Sequence, residues 1–196
     1  MNGALRIAAV ALLVVSCGPA EGVATMDDPA LSMRLPADWK QLPAMSLRSQ
    51  AEQGSAASTR AVKEMYDQLI SEIDGQRVRL YATGPSGFDQ WQATIIIEVT
   101  DAGSVNEQID KAQKLATAFG TPTTSARTDV KLAIGQGVRL ENTADPPASG
   151  GVAARGIDYV VQLADGRILW INTTAPAAST TFADTIDKAI GTIGRC

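Results

Sequence analysis

The chain has 196 residues, with Lys+Arg 17 against Asp+Glu 21, a net charge of −4 and no histidine. That length suggests one domain, large enough to bury about 70% of its unfolded surface without staples. The missing histidine excludes Ser-His-Asp and Cys-His catalysis and imidazole metal sites. No basic run stands out, which argues against nucleic acid and against electrostatic attachment to anionic lipid.

Residues 1–16 read as an export signal. Arg6 supplies the positive charge and residues 7–15 are an apolar run, too short for a bilayer span of about 20 residues. The run ends Val14-Val15-Ser16-Cys17-Gly18. An aliphatic residue, a small residue and then Cys resembles the bacterial lipobox. That resemblance implies cleavage between Ser16 and Cys17, lipidation of Cys17 and a membrane anchor, since two or more acyl chains hold stably. Residues 18–30 lack periodicity and carry Gly, Pro, Ala and Asp. They read as a flexible tether reaching roughly 20 Å, with a single domain over 31–196. Cys196 is the only other cysteine. With Cys17 lipidated it would stay a free thiol or join two molecules as a dimer.

In the body, 31–39 predicts a strand with Leu31, Met33 and Leu35 on one face, closed by Pro36. A short helix is expected over 46–54. A longer one is expected over 59–74, with the stripe Val62, Met65, Tyr66, Leu69 and Ile73. Residues 77–83 predict a strand and Gly84-Pro85-Ser86-Gly87 a turn. The most apolar strand is 91–100. Trp91, Ala93, Ile95, Ile97 and Val99 alternate with Gln92, Thr94, Ile96, Glu98 and Thr100. Ile96 on the second face implies cover there as well. A helix follows, with Ser104 and Glu107 spaced as a capping box and a stripe of Val105, Ile109, Ala112, Ala116 and Phe119. Gly120 and Pro122 end it.

Strands are expected over 128–134 and 138–142 around Gly135-Gln136-Gly137, then a mobile loop over 145–151. Residues 156–164 and 167–174 flank Asp165-Gly166, which predicts a two-residue type I′ hairpin. That turn sets Leu163 opposite Ile168 and Val161 opposite Trp170. The second strand is apolar on both faces, as interior strands are. A last helix is predicted over 181–193, with Phe182, Ile186, Ala189, Ile190 and Ile193 in a stripe and Ser179 or Thr180 as cap. Hairpins dominate, so the fold class is α+β: a mainly antiparallel sheet of about six or seven strands flanked by helices.

Chemistry is sparse. The carboxylates Asp27, Asp28, Glu98, Asp101, Glu141 and Asp158 are scattered along the chain. Asp27-Asp28-Pro29 lacks the spacing of a calcium loop. Gly84-Pro85-Ser86-Gly87 lacks the lysine of a phosphate loop, and no Gly-x-Ser-x-Gly occurs. No cofactor or metal is expected. Arg79, Arg139 and Glu141 fall at outward strand positions and are the candidate polar binding face.

The LPADW segment, the hairpin before a capped helix, GIDYVVQLADGRILWINTTAP and FADTIDKAIGTI together resemble PsbP-like domains. That group includes bacterial lipoproteins of the LpqN and DcrB groups. The resemblance implies an α/β/α sandwich used for binding, with no shared catalytic residues. The expectation is a non-catalytic envelope lipoprotein, on the periplasmic or extracellular side, that binds a protein or glycan. The alternative is a carrier of a small apolar or lipid ligand in a cavity between sheet and helices.

Overall fold

The computed structural model describes residues 22–57, 60–86, 92–101, 103–119, 121–145 and 153–195. Ser16, Cys17, Trp91, Gly120 and Cys196 lie outside them, as does the expected loop past Asp145. The first elements are β1 (Val23–Met26), β2 (Leu31–Arg34), β3 (Lys40–Leu42), α1 (Ala44–Ala57) and α2 (Arg60–Asp74). Next come β4 (Val78–Ser86), β5 (Gln92–Thr100), α3 (Val105–Phe119), β6 (Thr121–Leu132) and β7 (Gly135–Asp145). The chain closes with β8 (Ala154–Leu163), β9 (Ile168–Pro176), α4 (Phe182–Ile190) and β10 (Gly194–Arg195).

Seven strands form one antiparallel sheet in the order β3-β4-β5-β9-β8-β7-β6, and β1-β2-β10 form a second. The fold is α+β, as expected. Because side chains alternate across a strand, each face of the large sheet has its own core. Ile95, Ile97, Leu169, Ile171, Ile157 and Val161 point to one face. There they meet Ala24, Met26, Leu31 and Met33 of the small sheet and Phe182, Ile186 and Ile190 of α4. A fully buried Ile such as Ile97 contributes about 1.5–3 kcal/mol. On the other face Ile109 and Ala112 of α3 pack on Val138, Leu140, Val160, Ile168 and Trp170. Leu47 of α1 and Ile73 of α2 pack on Val78 and Tyr81. Helices thus flank both faces, but the α4 face is shared with a small sheet.

The capping box forms as read. Glu107 N–H donates to Ser104 Oγ (3.1 Å), and Ser104 N–H donates to Glu107 Oε2 (2.8 Å). Four expectations need correction. First, the tether reading of 18–30 fails from residue 23 onward, because β1 pairs with β2 from Val23↔Arg34 to Met26↔Leu31. Ala24 and Met26 are core residues. Second, Gly84 to Ser86 is strand. A Cβ at Gly84 would sit 2.7 Å from Trp39 Cε2, so this glycine serves the close approach of an indole. Third, the β6–β7 turn is at Ala133-Ile134, with Gly135 and Gly137 inside β7. A Cβ at Gly137 would collide with the Val160 carbonyl oxygen on β8. Fourth, the α4 N-cap is Thr181, with no side-chain cap bond.

The β8–β9 hairpin also differs by one residue. Leu163 N–H donates to Arg167 O and Gly166 N–H to Leu163 O. The loop is therefore the three residues Ala164-Asp165-Gly166, closed by a single left-handed glycine at φ +88°. The register becomes Gln162↔Ile168, Val161↔Leu169 and Val160↔Trp170. A one-residue slip changes which face each partner shares. Here it joins Trp170 to Val160 under α3 and Leu169 to Val161 under α4.

Nothing lies within 4 Å of a Cβ built on Gly166, so only the backbone resists substitution there. Gly166→Val should cost about 1–3 kcal/mol, lowering Tm by several degrees. Gly166→Asn, which tolerates positive φ, should lose much less. Equal melting of the Val variant and the native chain would contradict this turn geometry.

Candidate ligand-binding cavity

The helical face of the sheet is not fully closed. A cavity of about 940 Å³ lies between α1, α2 and α3 and the strands β4, β5 and β9. Its floor alternates along β5 as Gln92, Thr94, Ile96 and Glu98, and along β9 as Trp170, Asn172 and Thr174. Thr94 and Thr174 face each other across the ladder with hydroxyls 2.8 Å apart. The roof is the apolar stripe of α2. Ile73 is buried, but Met65, Tyr66 and Leu69 are only half-buried and line the cavity.

The inner wall is charged. Lys111 on α3 donates from Nζ to Glu72 on α2 (2.9 Å) and to Glu98 on β5 (2.9 Å). The same ammonium lies 4.7 Å from the centroid of the Trp170 ring. Arg77 bonds the other oxygen of Glu72. Burial pushes the Glu72 carboxyl up, but Lys111 and Arg77 outweigh it and hold the group below its ordinary value. Glu98, only 5% exposed, is pushed up by burial despite Lys111.

Asp158 on β8 lies behind Trp170 and Asn172. Its Oδ1 accepts from Trp170 Nε1 (2.8 Å) and Asn172 Nδ2 (2.8 Å). Burial pushes its carboxyl up to about 6, and the nearby Glu98 charge adds to this. Among the described residues, no group of three or more His, Cys, Asp or Glu is placed to hold a metal ion.

The residues singled out from sequence lie elsewhere. Arg79 on β4 pairs with Asp28 at 3.8 Å. Arg139 and Glu141 on β7 are 2.8 Å apart. Three strands, β5, β9 and β8, separate them from β4. Arg139 also bonds Asp187 on α4 (3.0 Å), Arg155 bonds Glu141 (2.9 Å), and Tyr159 OH donates to Asp187 (2.6 Å). These groups fasten α4 to the sheet, so the three residues do not form one open face. Sequence reasoning counted Glu98 and Asp158 as scattered and passed over Lys111 and Glu72. The available signal was an acidic residue inside a strand apolar on both faces: Glu98 between Ile97 and Val99, Asp158 between Ile157 and Tyr159.

No protein-family model and no curated protein matches this sequence. The crystal structure of LpqN, involved in cell envelope biogenesis of Mycobacterium tuberculosis, matches with a TM-score of 0.51 at 12% identity. The alignment covers 84% of this chain and 82% of that one. The chain is similar in fold to LpqN. LpqN gives its name to one of the groups that the sequence pattern resembles. Among the described residues, no helix is long and apolar enough to cross a membrane.

A carboxyl with a raised folded-state pKa keeps its proton in the fold and loses it on unfolding. The contribution of Asp158 is therefore present below about pH 4 and lost as pH rises through about 6. Asp158→Asn retains an acceptor for Trp170 and Asn172 and cannot ionise. Its stability relative to the native chain should rise between pH 4 and pH 7, by up to about 3 kcal/mol. Paired denaturant melts measure the difference, and a flat one would show that Asp158 titrates normally.

Proposed function

We propose that this chain is an envelope protein, anchored through Cys17, that binds an apolar or amphiphilic chain in the cavity and does not turn it over. The observation that carries this reading is the uncovered apolar roof. Met65, Tyr66 and Leu69 stand half-buried above Ile96 and Tyr81 across about 940 Å³. That volume falls within the range of small-molecule sites. The stripe of α4, by contrast, closes completely: Phe182, Ile186, Ala189 and Ile190 are all buried. Twelve methylenes transferred from water would gain about 10 kcal/mol before the costs of association. The fold likeness to LpqN, a protein of cell envelope biogenesis, supports the envelope setting. The VVSC junction supports the anchor. Protein or glycan binding has less support, because Arg139 and Glu141 bond each other, Arg139 bonds α4, and Arg79 pairs with Asp28.

Trp170 on the cavity floor supplies the readout. A dodecane brominated near one end should quench its fluorescence saturably in the full chain. Leu69→Arg, on the half-exposed roof, should weaken that binding at least tenfold while Tm changes little. Quenching that is absent, or indifferent to Leu69→Arg, would remove the cavity from consideration. For the anchor, Cys17→Ser should abolish incorporation of labelled palmitate, and undiminished labelling would refute it.

A further inference from the structure

A second, smaller space adjoins the large cavity. It holds about 30 Å³ between α3 and the strands β7, β8 and β9. Leu115, Asn172 and Thr174 line both spaces, so a chain lying in the large cavity can present its end to the small one. The room exists because the facing residues are small: Ala112 and Ala116 on α3, and Gly156 on β8.

Two polar groups meet there. Asn142 on β7 is only 6% exposed, and its Nδ2 has no hydrogen-bond partner among the described residues. A buried donor left unmatched is costly, and native proteins seldom keep one without a use. Asp158 is 3% exposed, and the two bonds from Trp170 and Asn172 both go to its Oδ1. Its Oδ2 remains as an acceptor. The space therefore offers one donor and one acceptor within only about 30 Å³.

We infer that this small cavity receives the terminal hydroxyl of an uncharged long-chain alcohol, which donates to Asp158 and accepts from Asn142 Nδ2. This rests on the chain-binding reading above and names the ligand class for the same site. The chemistry excludes the obvious alternatives. A carboxylate end would bring a third negative charge beside Glu98 and Asp158. An ammonium end has three donors and no acceptor for Asn142. A methyl ether keeps the acceptor, lacks the donor and is too large for the space. A site built around a hydroxyl discriminates strongly against analogues that leave its buried groups unpaired.

The test displaces an uncharged naphthalene dye carrying a dodecanoyl chain from the full protein, using 1-dodecanol, dodecyl methyl ether or dodecanoate at pH 7.5. The alcohol should displace it at a concentration at least tenfold lower than either analogue. Gly156→Ala narrows the space without touching either polar group. The added Cβ would meet only the Thr173 carbonyl oxygen at 3.6 Å, an ordinary contact, so the variant should fold with a native Tm. In it the advantage of the alcohol should fall to within about twofold of the ether. Equal displacement by all three compounds on the native chain would overturn the assignment, leaving a head-blind groove and a cavity that holds only water. An advantage undiminished in Gly156→Ala would overturn it as well, by placing the hydroxyl elsewhere. If neither the dye nor any of the three binds, the chain-binding reading itself falls.

Discussion

One ammonium group holds the cavity together. Lys111 is bonded at once to Glu72 on α2 and Glu98 on β5, and it lies against the Trp170 ring of β9. Four elements meet at that point. Removing the lysine would leave Glu98 ionised or protonated in a site only 5% exposed. Breaking a buried pair in this way costs about 3–5 kcal/mol. The geometry of the link matters as much as its strength. Two bonds of 2.9 Å through one ammonium set the spacing between α2 and the sheet at that end of the cavity. Apolar side chains at the same positions would interdigitate and close the gap. A charged spacer holds the roof off the floor, so Met65 lines open space and Leu69 packs only in part against the cluster of Leu47, Ile73, Val78 and Tyr81.

The two faces of the large sheet share this task unequally. Beneath the small sheet and α4, buried side chains from both sheets and from α4 form one continuous core that is mostly aliphatic. Thr173 is satisfied within it, its Oγ1 donating to Ile157 O at 2.7 Å. That face supplies most of the apolar burial that keeps the strands in register. The helical face is divided between two smaller clusters with the cavity between them. An unfilled space of this size forfeits packing energy that the opposite core makes good. The ion pairs of Arg139, Glu141, Arg155 and Asp187 belong to the closed side and fasten the edge of α4.

The sequence spoke most clearly where local and tertiary forces agree. Ser104 and Glu107 announce the α3 start because a capping box is a local device, and the bonds form as spaced. The α4 stripe was legible because all its members go to one core. Strand β1 was hidden because four residues pair only through β2, which itself needs β10 from the far end of the chain. No local pattern carries that information. The hairpin was found with its register one residue out, because Asp-Gly fits both a two-residue turn and a longer loop closed by glycine. Only the cross-strand packing of Trp170 and Leu169 decides between them. Arg79, Arg139 and Glu141 were read as outward from alternation alone. Alternation cannot show that Asp28 reaches Arg79, that Asp187 of α4 reaches Arg139, or that Arg139 and Arg155 both reach Glu141. The Lys111 cluster was illegible for the same reason, since Glu72, Glu98 and Lys111 come from three separate elements.

Strand β9 carries the whole division of labour in nine residues. Its odd-numbered side chains, Leu169, Ile171 and Ala175, are core throughout, with Thr173 satisfied among them. Its even-numbered side chains change character along the strand: Ile168 and Trp170 pack under α3, and then Asn172 and Thr174 open into both cavities. A period of two lets these faces be specified independently, so the scaffold side stays aliphatic while the other side grades from apolar to polar. An acidic residue on the neighbouring strand then becomes tolerable. Asp158 is opposite Asn172, and the amide of Asn172 and the indole of Trp170 bond it from the same strand. The polar end of the cavity is thus supported by the same strand that places Trp170 on its floor.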